Sequence, residues 1–378
     1  MFAHGPAAAA SGDEAWLRAM LDVETALARA WAQRGVIPTD AAQRIAAVCA
    51  GDFDADAIGR AAAGGGNPVI PLVAELRARL DAESAAHVHR GATSQDILDT
   101  AAVLVARRSA ALALEDADAV ALACRRLSER HADTPMLART LLQPALAISF
   151  ALKAASWLSG VVGARAELAR AVELLPLQLG GPVGRMDAPG ASADGLAEAT
   201  AELLALPAPV LPWHSNRLPI ARLGGAMALL CGAIGKVALD VCLLAQGEVG
   251  ELREATGVGE GGSSSMAHKH NPVAAIAALA CARRMPGLAA TLQAAMLAEH
   301  ERAAGAWQSE WETLRDGLRL TGSTLAWGRT MLERVELDPR RMRENLRQAA
   351  AREGFDESAG RADALAERAL RRIAEADR

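Results

Sequence analysis

The chain has 378 residues, a formal net charge of −5 and only 3% aromatic residues, with no tyrosine. A chain of this length can bury a large core and divide into two or three domains. The weakly negative charge excludes a general attraction to nucleic acid or to an anionic membrane surface, so an anionic ligand would need a local cluster of cations or helix N-termini.

The five cysteines are scattered along the chain and form no CxxC pair. Their odd number and wide spacing favour reduced thiols in a cytoplasm over a disulfide scaffold or a zinc site. The N-terminus has no basic region followed by an apolar stretch, so we expect no secretory signal. Because the longest uncharged apolar runs, such as 223–235, are too short to span a bilayer, we predict no membrane partner.

The predicted elements are helices, and their apolar content comes mainly from alanine and leucine. Residues 13–34 carry apolar side chains at helical spacing, and a Gly-rich break follows at 64–68. From about Ile97 onwards the pattern changes to long helical segments. These segments are predicted near 97–131, 141–174, 218–253 and 272–304.

Helices of this length exceed the usual three or four turns and suit a bundle whose members pack on each other and on neighbouring subunits. Pro144 and Pro286 are predicted to kink or to start their helices. Four glycines within 218–253 predict close helix–helix approach, with composition bias as the alternative. They are Gly224, Gly225, Gly232 and Gly235.

Residues 259–272, GEGGSSSMAHKHNP, combine glycines, three hydroxyls and cationic groups directly before an apolar helix. Glycines let such a loop rearrange and close over a ligand. Neighbouring cations help a serine hydroxyl to act as proton donor or acceptor. Lys269 can pair with a carboxylate, Asn271 can donate a hydrogen bond to it, and the N-terminal amides of the next helix favour anions. The alternative is a polar surface loop.

A second polar stretch, HRGATSQD, precedes the first long helix at 89–96. Thr93 and Ser94 offer two hydroxyls beside the free backbone amides of a helix start, which is a plausible cradle for a carboxylate. The alternative is that Thr93, Ser94 and Asp96 cap the helix. The two roles are compatible.

The segment GGSSSMAHKHNP closely resembles the signature GSSxMPxKxNP of the fumarase/aspartase superfamily, with Ala267 where the signature has proline. The resemblance implies an all-α, fumarase/aspartase-like fold with a central bundle of long helices. It also implies that Ser263 is the base that removes a proton next to a carboxylate, with Lys269 as a second catalytic residue. The implied substrate-binding residues of this loop are Ser264, Met266 and Asn271.

Two further segments resemble other regions of the superfamily. HRGATSQDILDT at 89–100 looks like the first region, which implies a catalytic His89 and substrate binding by Thr93, Ser94 and Gln95. ARTLLQPA at 138–145 resembles GRTHxQxA, which implies substrate binding by Arg139 and Gln143. Leu141 replaces the histidine of that pattern. Because leucine cannot transfer a proton, a simple hydratase or amine lyase is disfavoured.

Segments spread over most of the chain resemble the superfamily branch of the lactone-forming 3-carboxy-cis,cis-muconate cycloisomerases, which also lacks that histidine. The resemblance implies addition of a substrate carboxylate to a conjugated double bond in the same molecule. The alternatives are a lyase that eliminates a C–N or C–O group from a succinyl-type substrate, and a catalytically silent homologue. The segments are 67–73, 89–100, 212–223, 246–254 and 299–311.

The segment 212–223 adds His214 and Arg217 as substrate-binding candidates, with a core histidine and a structural ion pair as the alternatives. Arg302 is a further candidate cation for a substrate carboxylate, but its acidic neighbours Glu299 and Glu301 favour a structural ion pair. No cofactor is implied by the resemblance. No metal is predicted either, because the histidines that flank Lys269, His268 and His270, fall short of the three or four ligands that a metal site needs.

The resemblance also implies a small tricarboxylate substrate and a homotetramer whose active sites are shared between subunits. It predicts three parts of the chain: an N-terminal helical domain over 1–96, a central long-helix bundle over 97–335 and an abbreviated C-terminal helical domain over 336–378. The last should contain one or two helices. Residues such as His89, Thr93 and Ser263 therefore need not meet within one chain.

Overall fold

The computed structural model describes residues 3–186, 193, 195–255, 257, 261–266 and 269–376. The N-terminal helices of this part are α1 Pro6–Ala9, α2 Asp13–Gln33, α3 Thr39–Cys49, α4 Ala55–Gly65, α5 Val69–Ala78 and α6 Ala82–Ala85. The long helices are α7 Ser94–Arg130, α8 Phe150–Glu173, α10 Leu218–Leu244, α11 Val273–Ala294 and α12 Ala306–Arg334. The remaining helices are α9 Leu196–Leu203, α13 Pro339–Glu353 and α14 Ala362–Ala376, and the strands are β1 Pro135–Thr140, β2 Gln143–Ser149, β3 Leu252–Glu254 and β4 Val335–Leu337.

The five long helices pack side by side around an apolar core that extends from Leu17 on α2 to Met342 on α13. The fold is therefore a long-helix bundle of the predicted all-α class. Two antiparallel pairs of short strands, β1 with β2 and β3 with β4, join helices at its ends. The domain boundaries near 96 and 335 stay a prediction.

Close approach of α10 to its neighbours is confirmed at two of the four glycines. A Cβ atom on Gly224 would lie 2.7 Å from Leu292 of α11, and one on Gly235 would lie 2.9 Å from Ala282. Nothing lies within 4 Å of the corresponding positions on Gly225 and Gly232. Packing within one chain therefore explains Gly224 and Gly235 but not Gly225 and Gly232.

Helices α10 and α11 are both long and apolar enough to cross a bilayer when windows with up to two charged residues are counted, although uncharged runs such as 223–235 are shorter. In α10, 56% of the most apolar window is buried inside the molecule, and in α11 the share is 44%. Ile234, Val237 and Val241 of α10 are completely buried. The apolarity of these helices thus contributes to the bundle core.

The predicted helix at 141–174 is wrong over its first nine residues, because 141–142 form a turn and 143–149 a strand. Pro144 accordingly lies in a strand, opposite Arg139, and starts no helix. The turn places Leu141 and Leu142 at φ values of 49° and 66°. Two-residue turns of this kind usually contain Asn or Gly, so the sequence carried no turn signal here.

Two other predicted helices, at 218–253 and 272–304, are too long at their C-terminal ends, whereas those at 13–34 and 97–131 are confirmed by α2 and α7. The segment 218–253 leaves the helix after Leu244 and continues into β3, which pairs Leu252 with Leu337. The segment 272–304 leaves the helix after Ala294, and α12 then runs from Ala306. Pro286 lies within α11 and does not start it.

Candidate active site

The serine loop folds on itself at the surface. The Ser263 hydroxyl accepts hydrogen bonds from the backbone N–H groups of Ser265, at 3.3 Å, and Met266, at 3.2 Å. The backbone and side-chain N–H groups of Asn271 both donate to the Gly261 carbonyl, at 2.8 and 3.1 Å, and so close the base of the loop. Ser264 and Lys269 are exposed. The loop therefore presents a half-buried hydroxyl and a solvated ammonium group.

We expected the backbone amides at the N-terminus of α11 to be free for an anionic ligand, but two of them already have a partner. The Glu254 carboxylate accepts hydrogen bonds from the backbone N–H groups of Ala274, at 2.9 Å, and Ala275, at 3.1 Å. An acidic side chain thus caps this helix and stabilises its positive end. These two amides are therefore already occupied and do not await a ligand.

The N-terminus of α7 carries the predicted cap. The Thr93 backbone N–H donates to the Asp96 carboxylate at 2.9 Å, which is one half of a capping box. The Thr93 hydroxyl accepts a hydrogen bond from the guanidinium of Arg302. Because this contact uses a hydroxyl lone pair, the Thr93 O–H remains able to donate to a ligand.

Arg302 departs from its predicted role as a structural ion pair. The Glu299 carboxylate accepts from the Ala304 backbone N–H, at 3.1 Å, and does not bind Arg302. Among the residues described, no carboxylate lies within salt-bridge distance of this guanidinium, which faces Thr93 and the ring of Trp307. Among the described residues, it is therefore a cation without a counter-ion beside the Thr93 hydroxyl.

Behind this helix end, Asp96 is completely buried and connects three chain segments. Its carboxylate lies 2.7 Å from His214 Nε2 and accepts from the backbone N–H groups of Gly180 and Gly181, both at 2.9 Å. His214 is itself buried and held by this contact. His214 thus has the hydrogen-bond partner expected of a core histidine, while its role in substrate binding stays a prediction.

Arg217 lies in a buried ion cluster. Its guanidinium donates to Asp99 at 2.7 and 3.0 Å, and to Glu310 at distances from 2.5 to 3.2 Å. Burial opposes a charge on Arg217, but the two carboxylates outweigh it and raise the Arg217 pKa. Burial also raises the pKa of Glu310 despite the neighbouring cation. Gln95 joins this cluster through Asp99, at 3.1 Å, and is completely buried.

The β1–β2 hairpin holds the second predicted region. Arg139 makes a two-bond ion pair with the buried Glu251, at 2.7 and 3.1 Å, which also accepts from Asn345 at 2.8 Å. Gln143 is exposed beside the turn, and Leu141 is 96% exposed. Arg139 is thus largely structural, while the tip of the hairpin is open to solvent.

Gln95, His214 and Arg217 each have protein partners in the structure, and their role in substrate binding stays a prediction. The same holds for Arg139, which is paired with Glu251. One residue that the sequence analysis missed is Glu24, whose carboxylate lies 2.6 Å from His89 Nδ1. The sequence signal for Glu24 was the presence of an acidic residue within the apolar face of α2.

The predicted residues form three groups: the start of α7, the hairpin tip and the serine loop. No hydrogen bond or ion pair found among the described residues links any two of these groups through the predicted residues. In the same part of the chain, no cluster of three His, Cys, Asp or Glu residues could hold a metal ion. His268 lies outside the described residues.

This fold and these motifs define a lyase of the fumarase/aspartase type. A family model described as lyase matches residues 6–287, and the chain belongs to that family. A nitrosuccinate lyase of Streptomyces davaonensis is 44% identical over 353 residues, which are 90% of this chain and 74% of that protein. A 3-carboxy-cis,cis-muconate cycloisomerase of Bradyrhizobium diazoefficiens is 45% identical over 343 residues, 89% and 76% of the two chains.

The solved structures agree with this assignment. The 3-carboxy-cis,cis-muconate lactonizing enzyme of Pseudomonas putida superposes with a TM-score of 0.86 at 36% identity. The match covers 100% of this chain and 87% of that enzyme. The chain is thus similar over its whole length to this lactonizing enzyme.

Proposed function

We propose that the protein is a 3-carboxy-cis,cis-muconate cycloisomerase, which converts its substrate into a carboxymuconolactone. The observation that carries this proposal is its 41 to 45% identity to three cycloisomerases over about nine-tenths of the chain. A structural neighbour that is a lactonizing enzyme supports it as well. The proposed substrate is a small tricarboxylate.

In the proposed reaction, a carboxylate oxygen of the substrate adds to a conjugated double bond. One C–O bond forms, one π bond breaks, and the negative charge moves to the carbon next to a second carboxylate, where it spreads as an aci-carboxylate. The Ser263 hydroxyl delivers a proton to that carbon and regains one from solvent. The step changes no oxidation state overall, so the proposal includes no cofactor and no metal.

Electrostatic stabilisation of the aci-carboxylate is the demanding part of this reaction. Each oriented donor contributes roughly 3 kcal/mol in sites of this kind. Lys269 and Arg302 are the two predicted cations that have no carboxylate partner among the described residues, whereas Arg139 and Arg217 have partners. We therefore assign the substrate carboxylates to Lys269 and Arg302, with Thr93 and Ser94 as neutral donors.

The identity of Leu141 fits this chemistry. In the reverse reaction, the leaving group is a carboxylate, which is stable as an anion and needs no acid to protonate it. An apolar residue at the position of the missing histidine therefore costs the reaction nothing. The same argument holds for any leaving group that is a stable anion.

The second candidate is a lyase that eliminates nitrite from nitrosuccinate, since a nitrosuccinate lyase is 44% identical to this chain. Nitrite is also a stable anion, so Leu141 is compatible with both reactions. Purified protein should be assayed with 3-carboxy-cis,cis-muconate, by the loss of diene absorbance, and with nitrosuccinate, by nitrite release. Lactone formation supports the first proposal. Nitrite release without lactone formation would establish the second in its place.

We further propose a soluble cytoplasmic homotetramer in which the three groups of site residues come from different subunits. The free cysteines suit a reducing compartment. Light scattering should give four times the chain mass of 39.3 kDa. If sites are shared, mixing unfolded Ser263→Ala and His89→Asn chains and refolding them together should restore part of the turnover. A monomeric mass, or no restored turnover, would contradict shared sites.

A further inference from the structure

Glu24 is an acidic residue in an apolar environment. It lies on α2 among Met20, Val23 and Leu27, and only 1% of the residue is exposed. A buried carboxylate is costly without a partner, and the partner here is the imidazole of His89, with 2.6 Å between Glu24 Oε1 and His89 Nδ1. This contact joins the N-terminal helix to the segment that leads into α7.

The backbone around His89 is also held in an unusual conformation. His89 has a φ of 62°, a region that non-glycine residues seldom occupy. The Trp31 indole N–H donates to the Arg90 carbonyl at 2.8 Å, and the Arg77 guanidinium donates to the Val88 carbonyl at 3.1 Å. The peptide group before His89 and the one after Arg90 are thus each held by a side chain.

Glu24 and Trp31 lie seven residues apart on α2 and therefore on the same face of that helix. One face of α2 thus holds both the ring and the adjoining backbone of His89. Such support from two directions is typical of a side chain whose orientation matters for binding or chemistry.

The contact also determines the tautomer of a neutral His89. An ionised carboxylate only accepts hydrogen bonds, so the proton must lie on Nδ1 and the lone pair on Nε2. None of the hydrogen bonds found among the described residues uses Nε2, and 16% of the His89 side chain stays exposed. Because Nδ1 faces Glu24, Nε2 lies on the ring edge that points away from it.

We infer that Glu24 is a positioning residue, which fixes His89 as the Nδ1–H tautomer so that Nε2 can accept a proton or a hydrogen bond from the substrate. This inference deepens the proposed function and rests on it for the role of His89 in turnover. The tautomer itself can be tested without any substrate.

The first measurement is the ¹⁵N NMR spectrum of the His89 ring in the full-length protein. We expect the proton on Nδ1 in the wild type and in Glu24→Gln, whose amide oxygen can still accept. In Glu24→Leu, which has no acceptor, the proton should move to Nε2. A wild-type spectrum with the proton on Nε2, or one unchanged by Glu24→Leu, would overturn the inference.

The second measurement is turnover with 3-carboxy-cis,cis-muconate. Glu24→Leu should lower kcat by about 10²-fold, the usual contribution of a general acid or base, with KM changed less than about twofold. Glu24→Gln should keep most of kcat, and the matched control Glu14→Leu, on the exposed side of α2, should keep all of it. If Glu24→Leu lowers only the melting temperature and leaves kcat unchanged, Glu24 is merely structural. Should the wild type turn over neither candidate substrate, the proposed function fails, and the NMR result alone decides on the tautomer.

Discussion

The guanidinium of Arg302 donates a hydrogen bond to the hydroxyl of Thr93, with its Cζ atom 5.9 Å from the ring centre of Trp307. This relationship joins the loop before α12 to the first turn of α7. It places a positive charge beside a helix N-terminus, and both features attract anions. We therefore expect a substrate carboxylate to bind near Arg302 and Thr93 at the start of α7.

Replacement of Arg302 by alanine should lower kcat/KM by about 10- to 100-fold, because a hydrogen bond to a charged group contributes about 1.5–3 kcal/mol. Arg302→Lys should recover part of this loss, since it keeps the charge without the planar fork of donors. The control is Arg284→Ala, which removes an exposed cation on α11 that has only a 3.5 Å contact with Asp316. Equal losses in both variants would argue against a specific role for Arg302.

The Ser263→Ala variant tests the proton-transfer step. Its kcat should fall by about 10²- to 10⁴-fold, the range over which a positioned acid or base contributes. Its circular dichroism and melting temperature should stay unchanged, because among the described residues the hydrogen bonds of Ser263 all lie within its own loop. Ser358→Ala, which removes an exposed hydroxyl in the C-terminal part, serves as control. Normal turnover by Ser263→Ala would remove Ser263 as the proton donor.

The sequence allowed the prediction of the bundle because apolar side chains recur with the helical period over long segments. It did not allow the prediction of the hairpin turn, because Leu141 and Leu142 both adopt left-handed φ values that their side chains disfavour. Such a conformation is imposed by the strands on either side. Local propensity therefore pointed to a helix where tertiary pairing determines a strand.

A similar limit applies to the charged residues of the site. Motif spacing identified Arg139, Arg217 and Lys269 as candidate cations for binding the substrate. Only the fold shows which of them already has a carboxylate partner. The partners of Arg217 are Asp99 and Glu310, which lie 118 and 93 positions away along the chain. Long-range ion pairs of this kind leave no local pattern in one sequence.

Arg217→Ala should destabilise the protein by about 3–5 kcal/mol, because it leaves two buried carboxylates without their cation. The matched control is Arg253→Ala, since the Arg253–Glu336 pair is exposed, with side-chain exposures of 77% and 50%. Its loss should cost about 0–1 kcal/mol. Urea unfolding followed by circular dichroism measures both changes. Comparable values for the two variants would show that the buried cluster contributes no more than a surface pair.

The buried thiols predict a loss of stability in alkaline solution. Burial raises the pKa of Cys49 and Cys231 from 9.0 to about 11, and that of Cys124 from 9.0 to about 12. Above pH 9, these thiols ionise in the unfolded chain but stay protonated in the folded one. The unfolded state then binds fewer protons, so the free energy of unfolding falls as pH rises, by about 1.4 kcal/mol per pH unit for each thiol.

This loss should begin near pH 9 and end for each thiol once the pH passes its folded pKa, near 11 or 12. Burial lowers the pKa of Lys153, so this group makes the free energy of unfolding rise with pH. It is one group against three thiols. Urea unfolding measured between pH 8 and 10.5 tests the slope, with the Cys49→Ala/Cys124→Ala/Cys231→Ala variant as control. Because that variant has no buried thiols at these positions, its stability should fall less steeply. Identical slopes for the two proteins would show that the thiols do not cause the alkaline loss.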